Sequence, residues 1–528
     1  MLALSMDFKK EAQLAILEGI QALRTPRQLR ILFIHLLVND CILAPQSVWE
    51  EHSEALSRDF ILHHNNVSAL GVDDALEELA RYLEEYGKSL TDYGLPEPSY
   101  STPEVQHEME QWNGQQSILA ERANAAIQSL NPGQQTIYNA IFSAAVNGLP
   151  LYAFIDGQAG RGKTFLVNAI CDKLRSLGHL VLPTVTAAYA AQLYPGGRTT
   201  HSTFKVPVNE NNELLVSPIE YHSPRAELLR RASVIISDEA PMANRAVLAC
   251  VEETCRRVMA NSAPFGGKTI VLLGDFRQTC PVIRRGTRAQ VIDVSIKSSP
   301  LWPFFTIFRL ATPIRNAADP ELANFVDAIG DGAGPEVRLD LLDKVTSMEE
   351  LIDFVFLPVV LADPEACLRR SILAPTNLQI DTYNNIIINC IAGAQRTYLA
   401  ADSLKEVEEA GIESPDSMLD YVARQTPPGL PPHSLTIKVN AVYRLLRNLS
   451  LDRGLVKNVR VVIVAIGSRL VTVRILRGVG GVSVVEAEDI LIPRITFTLS
   501  LPSGHTLLRR QFPLAPAYAT TSAKLETL

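Results

Sequence analysis

The sequence lacks any long run of apolar residues, and this absence excludes several classes of protein. No apolar stretch approaches the roughly 18 residues that cross a bilayer, so the sequence does not predict a membrane protein. The first residues, MLALSMDFKK, show no basic segment followed by a long apolar stretch and a cleavage site, so they do not predict secretion. The 7 cysteines are scattered and form no CxxC pair, which favours reduced thiols over a disulfide framework or a zinc site.

The sequence also lacks net positive charge, which at first argues against a nucleic-acid partner. The formal net charge is −8 over 528 residues, but it is unevenly distributed. Residues 1–130 contain 9 Lys and Arg against 20 Asp and Glu, whereas residues 422–528 contain 14 against 5. Because the local field matters more than the total, we predict that the basic tail can hold a polyanion. The 47% of hydrophobic residues excludes disorder as the dominant state.

Hydrophobic periodicity divides the chain into a helical part followed by parts that contain strands. Up to about residue 90, apolar residues recur three and four positions apart, which predicts helices, and Pro26 and Asp73 stand where helix starts are expected. Prolines within 91–128 predict a linker that ends in a helix at 115–129. From residue 151, short apolar runs alternate with helical patterns. This alternation predicts an α/β fold with a mainly parallel sheet covered on both faces.

The predicted strands fall into three groups along the chain. The strands of the first sheet are predicted at 151–155, 179–183, 233–237 and 269–273. A second set begins with a strand at 371–375 and an amphipathic stretch at 377–391. The region over about 430–495 is rich in β-branched residues and turns, which predicts a small barrel or meander.

The strongest single motif is DGQAGRGKT at residues 156–164, which fits G-x-x-x-x-G-K-[ST] between a predicted strand and a predicted helix. Glycines let the backbone curl so that successive amides point at phosphate oxygens, and the following helix N-terminus adds partial positive charge. Lys163 is predicted to reach the β- and γ-phosphates and Thr164 to bind Mg²⁺.

Arg161 is unusual in such a loop, and its side chain can point outward. The alternative interpretation is a flexible glycine-rich turn. The nucleotide-binding residues predicted here are Gly157, Gly160, Gly162, Lys163 and Thr164.

Two further strand ends carry polar residues suited to ATP hydrolysis. SVIISDEAPM ends a buried strand in Asp238, predicted to hold Mg²⁺, and Glu239, predicted to orient and deprotonate the attacking water. The alternative is a solvated acidic pair. TIVLLGDFRQ delivers Asp275 and Gln278 to the same sheet edge, where Gln278 can contact the γ-phosphate and the water. Asp275 can equally be a carboxylate that stabilises its own loop.

Together these stretches resemble the Pif family of superfamily-one DNA helicases, and most closely the helicase region of Helitron transposons. LNPGQQ (130–135) is similar to the family's adenine-reading Q motif, and TAAYAAQLYPGGRTTHSTFKVP (186–207) to its motif Ia, which lies against single-stranded DNA. LATPIRN is similar to a family motif whose arginine reaches the nucleotide across the interdomain cleft. On this resemblance the adenine reader is Gln134, the cleft arginine is Arg315, and the DNA-binding residues are Arg198, His201 and Phe204. A core position is the alternative for Phe204.

The resemblance implies a P-loop NTPase with two RecA-like parallel-sheet motor domains. It places a helical, acidic region and linker at 1–128, the first motor domain at 129–330, and the second at 331–528 with a β-rich insert at about 430–495. It further implies an ATP- and Mg²⁺-dependent helicase that moves 5′ to 3′ on single-stranded and forked DNA, without a membrane partner. The expected roles are DNA repair, recombination and telomere maintenance, and the expected compartment is the nucleus.

Some positions depart from the family pattern. Ala188 replaces a glycine of motif Ia, and GLVKNVR (454–460) keeps the family's Gly454, Leu455 and Arg460 but loses an Asn-Gly turn. The C-terminal AYATTSAKLETL aligns Lys524 but lacks the family's Gln-Gly pair and final arginine, so we expect a truncated second motor domain. Two alternatives follow: a catalytically impaired, transposon-derived protein that still binds ATP and DNA, or a P-loop ATPase that acts on proteins.

We predict that Lys163→Ala abolishes ATP binding, because the substitution removes the ammonium group that faces the phosphates. A titration of the purified protein with a fluorescent ATP analogue measures this. An unchanged affinity would refute the nucleotide-binding interpretation of the loop.

Overall fold

The contacts of the chain divide it into two compact units. We call Met1–Ser101 together with Lys344–Leu528 unit 1, and Thr102–Asp343 unit 2. The predicted boundaries near residues 128 and 330 remain predictions; in the structure the N-terminal helices share a unit with the C-terminal part of the chain. The computed structural model describes residues 11–99, 104–207, 214–278, 281, 283, 286–315, 317–331, 343–405, 423, 429–450, 453–476, 488–501 and 505–521.

The N-terminal part of unit 1 is helical, as predicted. Pro26 is the first residue of its helix, and the preceding Thr25 forms a capping box with Gln28, in which each side chain accepts the other residue's backbone N–H. The helix expected from Asp73 begins five residues earlier. The helices are α1 (Glu11–Gln21), α2 (Pro26–Val38), α3 (Pro45–His63) and α4 (Ser68–Glu84).

Unit 2 is built on a six-stranded sheet with the order β3-β2-β4-β5-β1-β6, in which every described pairing is parallel. All residues of β2 and β5 are buried, as expected for strands covered on both faces. The four strands predicted for this sheet are confirmed, whereas β3 and β6 at its two edges were not predicted. The strands are β1 (Tyr152–Gly157), β2 (Leu180–Val185), β3 (Arg198–Thr199), β4 (Ala232–Asp238), β5 (Thr269–Gly274) and β6 (Thr306–Leu310).

Helices of unit 2 enclose two apolar cores. Successive residues of a strand belong to one core and then to the other. Phe154 belongs to one core and Ile155 to the other, and Val234 and Ile235 divide in the same way. The predicted helix at 115–129 is confirmed as α6. The helices are α5 (Glu104–Glu110), α6 (Gln116–Gln128), α7 (Pro132–Asn147), α8 (Lys163–Ser176), α9 (Thr200–Phe204), α10 (Pro224–Arg231), α11 (Arg245–Met259), α12 (Arg288–Asp293) and α13 (Pro320–Asp331).

The remainder of unit 1 combines short helices with small sheets. The helices are α14 (Met348–Val355), α15 (Pro358–Leu361), α16 (Pro364–Leu368) and α17 (Asn377–Cys390). The strands are β7 (Ile372–Leu373), β8 (Gln395–Leu399), β9 (Ala401–Leu404), β10 (Ser434–Lys438), β11 (Val442–Leu445), β12 (Arg460–Ile466), β13 (Leu470–Ile475), β14 (Asp489–Pro493), β15 (Ile495–Ser500), β16 (Thr506–Gln511), β17 (Leu514–Pro516) and β18 (Ala519–Thr520).

Most of these strands are antiparallel. They form a five-stranded sheet β14-β13-β12-β11-β17, a three-stranded sheet β15-β16-β9 and the pair β10-β8. The predicted meander is therefore confirmed. The predicted strand at 371–375 is β7, which pairs in parallel with β18 and is followed by the predicted helix, now α17. This parallel pair and its helix lie within 331–528, the range predicted for the second motor domain, which remains a prediction. Lys524 lies outside the described residues.

Most of the described cations of the basic tail have partners inside unit 1. Binding of a polyanion by this tail remains a prediction. Arg494 lies 3.6 Å from the carboxylate of Glu11 on α1, so the acidic head and the basic tail meet here. Arg460, which the sequence aligned with a family motif, is buried and donates to the backbone carbonyl of Leu368 at 3.0 Å. The tail cations whose side chains bond to backbone carbonyls or side chains within unit 1 are Lys438, Arg444, Arg447, Arg453, Arg460, Arg474, Arg494, Arg509 and Arg510.

Two negative findings apply to the described residues. None of their helices is both long enough and apolar enough to cross a membrane. Their cysteines are all free thiols, and five of the six are buried.

A buried arginine in the N-terminal helices gives a test of the fold of unit 1. Arg30 on α2 is 1% exposed and donates to Glu78 at 2.5 Å and to Asp59 at 2.7 Å. Because Arg30→Met leaves the Glu78 carboxylate buried without its main partner, we expect the free energy of unfolding to fall by about 3–5 kcal/mol. Arg27→Met is the control, since Arg27 is half-exposed and lies 4.0 Å from the same carboxylate. It should cost about 1 kcal/mol or less. Urea unfolding followed by tryptophan fluorescence measures both, and equal effects would contradict the assignment.

Candidate nucleotide site in unit 2

The P-loop connects the end of β1 to the beginning of α8. Gly160 and Gly162 have φ values of 77° and 80°, in the left-handed region that favours glycine. Gly162 is the residue that immediately precedes α8, so the free amides at this helix N-terminus open onto the loop. The predicted strand–loop–helix context of the motif is therefore present.

Lys163 lies at the start of α8 with its ammonium group folded back over the loop. Its Nζ donates to the carbonyl oxygens of Gly157 at 2.5 Å and Gln158 at 3.3 Å. Its charge also acts on the carboxylate of Asp238, whose ionised form it favours. The loop lysine and the carboxylate at the end of β4 therefore face the same space.

Arg161 does not point outward, and that expectation is wrong. Its guanidinium is buried and donates to the backbone oxygen of Ala311 at 2.6 Å. It also hydrogen-bonds to the side chain of Gln158 and forms an ion pair with Asp327 on α13. Because three groups satisfy the guanidinium, Arg161 can bury its side chain and hold the loop from within unit 2.

Arg315 lies beside the P-loop within unit 2 rather than across an interdomain cleft. The backbone N–H groups of Ile314 and Arg315 both donate to the carbonyl oxygen of Gly160 at 3.0 Å. A Cβ on Gly160 would lie 2.8 Å from Cβ of Arg315, so only glycine allows this close approach. The side chain of Arg315 is exposed. Its predicted position is corrected, whereas its predicted contact with nucleotide remains a prediction.

Gln134 supports the P-loop through its position in a capping box. It is 1% exposed, its carboxamide oxygen accepts the backbone N–H of Asn131 at 3.1 Å, and its backbone N–H donates to the side chain of Asn131. Its Nε2 donates to the carbonyl of Gly162 at 3.5 Å. Both ends of the carboxamide are thus engaged with the protein. Reading of adenine by Gln134 remains a prediction.

Asp238 is the buried acid of the site. It is 3% exposed at the end of β4, and its Oδ1 accepts the backbone N–H of Glu239 at 2.8 Å. Its Oδ2 accepts a hydrogen bond from the phenol of Tyr194. Burial raises the pKa of Asp238, while these hydrogen bonds and the charge of Lys163 oppose the rise. The alternative of a solvated acidic pair is therefore excluded for Asp238.

Tyr194 is a site residue that sequence reasoning missed. It is 2% exposed, and burial and the neighbouring carboxylate raise its pKa well above its usual range, so the phenol stays protonated and donates. The nearby side chain of Thr164 opposes the rise in the pKa of this phenol. One hydroxyl therefore lies near both residues predicted to hold Mg²⁺. The available signal was its place within the 186–207 segment, next to the Pro-Gly-Gly turn.

Glu239 has a backbone conformation that is uncommon for a residue with a side chain. Its φ of 52° lies in the left-handed region, and such strain is often retained at functional sites. The next residues turn into a short helix at Ala240–Met242, and Pro241 packs so tightly against Gly274 that a Cβ there would clash. The ends of β4 and β5 are thus held together.

Asp275, directly after β5, stabilises its own loop. It is buried, accepts the backbone N–H of Arg277 at 3.0 Å, and pairs with the Arg277 guanidinium at 3.2 Å. The alternative that the sequence left open for Asp275 is thus the one that its contacts support. Gln278 lies in the turn that follows, and its backbone N–H donates to the carbonyl oxygen of Asp275. Its contact with phosphate remains a prediction.

The residues predicted to bind DNA have different environments. Phe204 is fully buried in an apolar core, so its ring cannot stack on a base and that prediction is wrong. Arg198 is partly exposed and lies 3.7 Å from the carboxylate of Glu108. Burial lowers the pKa of His201, so its imidazole is neutral at pH 7 and offers hydrogen bonds rather than charge to a phosphate.

The residues present fit a magnesium ion that arrives with phosphates. Among the described residues, no group of three or more His, Cys, Asp or Glu side chains could hold a metal by itself. Mg²⁺ typically binds through one or two protein oxygens together with substrate phosphates and water. The Thr164 hydroxyl and the Asp238 carboxylate, which both lie near Tyr194, supply that kind of oxygen set.

Comparison with known proteins supports the same family that the motifs resemble. Residues 129–338 match the family model of PIF1-like helicases. The resemblance of this part of the chain to Pif-type superfamily-one helicases is therefore confirmed. The link to Helitrons remains a prediction.

Individual relatives extend the similarity beyond that region. The chain is 27% identical over 223 residues to the ATP-dependent DNA helicase RRM3 of Saccharomyces cerevisiae, which covers 42% of this chain and 30% of that protein. It is 25% identical over 353 residues to the ATP-dependent DNA helicase PIF1 of Candida albicans, covering 65% and 35%. The matched parts are thus about a third of these two relatives. The Pif1 helicase of Bdellovibrio bacteriovorus is 24% identical over 373 residues, covering 70% and 75%.

Solved structures show the fold. A crystal structure of Bacteroides Pif1 bound to single-stranded DNA matches with a TM-score of 0.52 and 20% identity, over 76% of this chain and 84% of that one. A structure of Pif1 helicases at forked double-stranded DNA matches with a TM-score of 0.50 and 22% identity over the same shares. The predicted fold class, an α/β P-loop helicase fold with RecA-like parallel sheets, is confirmed.

Gly160 provides a test of the loop geometry. We expect Gly160→Ala to lower the stability of the protein by about 1–3 kcal/mol, through backbone strain, and to weaken nucleotide binding at least tenfold, because the new Cβ pushes the loop away from Arg315. The control is Gly148→Ala, which has a φ of 64° and open space around the new Cβ. This variant should lose stability through backbone strain but keep its affinity for nucleotide. Thermal unfolding and titration with a fluorescent nucleotide measure both effects, and equal nucleotide affinities in the two variants would contradict this account.

Proposed function

We propose that this chain is a Pif-type ATP-dependent DNA helicase that moves 5′ to 3′ along single-stranded DNA and displaces the complementary strand. The proposal rests on the functional residues that meet at one edge of the sheet in unit 2. There the P-loop, the buried Asp238 and the 186–207 segment meet within the region that matches PIF1-like helicases. The relatives are named ATP-dependent DNA helicases, which supports the proposal. As the family resemblance implies, we further propose a role in DNA repair, recombination and telomere maintenance, and a location in the nucleus.

In the proposed mechanism the loop amides and the N-terminus of α8 hold the phosphates of ATP. Lys163 exchanges its bonds to the carbonyls of Gly157 and Gln158 for bonds to phosphate oxygens. Thr164 and Asp238 would hold Mg²⁺, which neutralises phosphate charge when bound. Glu239 follows Asp238 and takes the proton of the attacking water.

Arg315 is proposed to act on the nucleotide held by its own unit. Its backbone is fixed on Gly160, and its exposed side chain starts from the rim of the loop. An arginine supplied in cis stabilises the charge that develops in phosphoryl transfer, and such a contact typically contributes 10³–10⁵ in rate.

The DNA partners are proposed from the relatives. The Bacteroides protein was solved with single-stranded DNA, and a second Pif1 structure concerns forked double-stranded DNA. In this chain Arg198 and His201 are the remaining candidates for the track, since Phe204 is in the core. Arg198 lies on β3 and His201 at the start of α9, both a few residues after Tyr194.

The test is ATP hydrolysis by the full chain with and without single-stranded DNA. We expect DNA to stimulate hydrolysis, and Lys163→Ala to lower the stimulated rate about 10²–10³-fold, as for the loss of a group that stabilises the transition state. Lys173→Ala is the control, because Lys173 lies on the same helix and contacts Asn124 at the surface. It should behave as the wild type.

Three outcomes separate the alternatives. Stimulated hydrolysis accompanied by strand displacement from a forked duplex supports the helicase. Near-background rates that are equal in wild type and Lys163→Ala, while the wild type still binds nucleotide and DNA, identify an impaired ATP- and DNA-binding protein. Brisk basal hydrolysis without stimulation by DNA favours an ATPase that acts on proteins.

A further inference from the structure

A single buried hydroxyl lies beside the two side chains of unit 2 that are expected to hold the metal. The phenol of Tyr194 donates to Oδ2 of Asp238, and the nearby side chain of Thr164 opposes the rise in the pKa of the phenol. Asp238 belongs to β4 and Thr164 to α8, so these residues come from separate elements. Tyr194 belongs to neither, since it follows the short helix at Ala188–Leu193.

The hydrogen bond from the phenol leaves oxygen lone pairs available on Asp238. The phenol O–H points to Oδ2 of that carboxylate. The carboxylate holds one donor on each oxygen, from Tyr194 and from the backbone of Glu239, and each oxygen can accept another partner.

The backbone around Tyr194 is fixed on both sides. Its N–H donates to Ala191 at 3.1 Å, and its carbonyl accepts the N–H of Gly197 at 2.8 Å. The preceding carbonyl, of Leu193, accepts from Nδ2 of Asn168 at 3.0 Å, and Asn168 lies one helical turn after Thr164 on α8. The ring itself lies in the apolar core that contains Val185 and Ile236. The phenol is thereby held in place against Oδ2 of Asp238.

We propose that Tyr194 is a positioning residue that orients Asp238, near Thr164, for the Mg²⁺ of a bound nucleotide. The inference rests on the proposed function and deepens it. Partners that hydrogen-bond to metal-binding groups set the orientation of those groups, and their loss typically costs 10–100-fold in metal affinity. Because Tyr194 belongs to the 186–207 segment, the metal site and the segment proposed to face DNA share this residue.

The experiment measures the affinity of the full chain for a fluorescent, non-hydrolysable ATP analogue, mant-AMPPNP, in EDTA and in Mg²⁺. The ratio of the two affinities reports how strongly metal and protein cooperate. We expect Tyr194→Phe to keep the affinity in EDTA within twofold and to lower the enhancement by Mg²⁺ by 10–100-fold. Tyr138→Phe is the control, since Tyr138 is buried in the same apolar core. It should keep both affinities.

Each other outcome overturns the inference. An unchanged ratio in Tyr194→Phe shows that the phenol does not act on the metal, and a larger ratio shows that it obstructs the metal. An equal loss of both affinities together with a lower melting temperature shows a structural role alone. A wild type that binds the analogue equally in EDTA and Mg²⁺ also overturns it. A wild type that does not bind the analogue at all instead refutes the proposed function.

Discussion

The site in unit 2 depends on the burial of one carboxylate at the end of a parallel strand. Asp238 is almost completely removed from solvent, and a buried acid is costly unless donors satisfy it. The backbone amide of the next residue, Glu239, supplies one donor, and the phenol of Tyr194 supplies another. The strand order β4-β5-β1 brings this acid, the loop after β5 and the P-loop to the same carboxyl edge of the sheet. The strained turn at Glu239 and the tight packing of Pro241 on Gly274 follow from the same requirement, since both hold that edge in place.

The parts of unit 2 that could be predicted from sequence are those with a strong local signal. The strands of the sheet interior are continuous apolar runs, and the P-loop has a fixed spacing of glycines before a lysine. The edge strands β3 and β6 have no such signal: β3 has two residues and most of β6 is exposed. In unit 1 the periodicity of the helices was sufficient, and the capping box at Thr25 fixed where α2 begins.

The roles that sequence did not predict correctly depend on contacts between distant residues. Arg161 is buried because Ala311 and Asp327, more than a hundred residues later, satisfy its guanidinium. Phe204 matches a family position for DNA contact, yet the helices around it form a core. Likewise, the net charge of a segment did not show which groups its cationic side chains contact. The basic tail of unit 1 uses its arginines on backbone carbonyls and acids, including Glu11 at the other end of the chain. Tyr194 was missed because its role requires knowing that Thr164 and Asp238 approach the same point.

Hydrogen exchange of the full chain with and without Mg²⁺ and a non-hydrolysable ATP analogue tests the central claim most directly. That claim is that the amides between Gly157 and Thr164 hold the phosphates opposite Asp238. The account predicts that the analogue slows exchange in peptides that cover the P-loop and the start of α8, and in those that contain Tyr194. Saturating analogue that leaves exchange in these peptides unchanged, while slowing it elsewhere in the chain, would contradict the account.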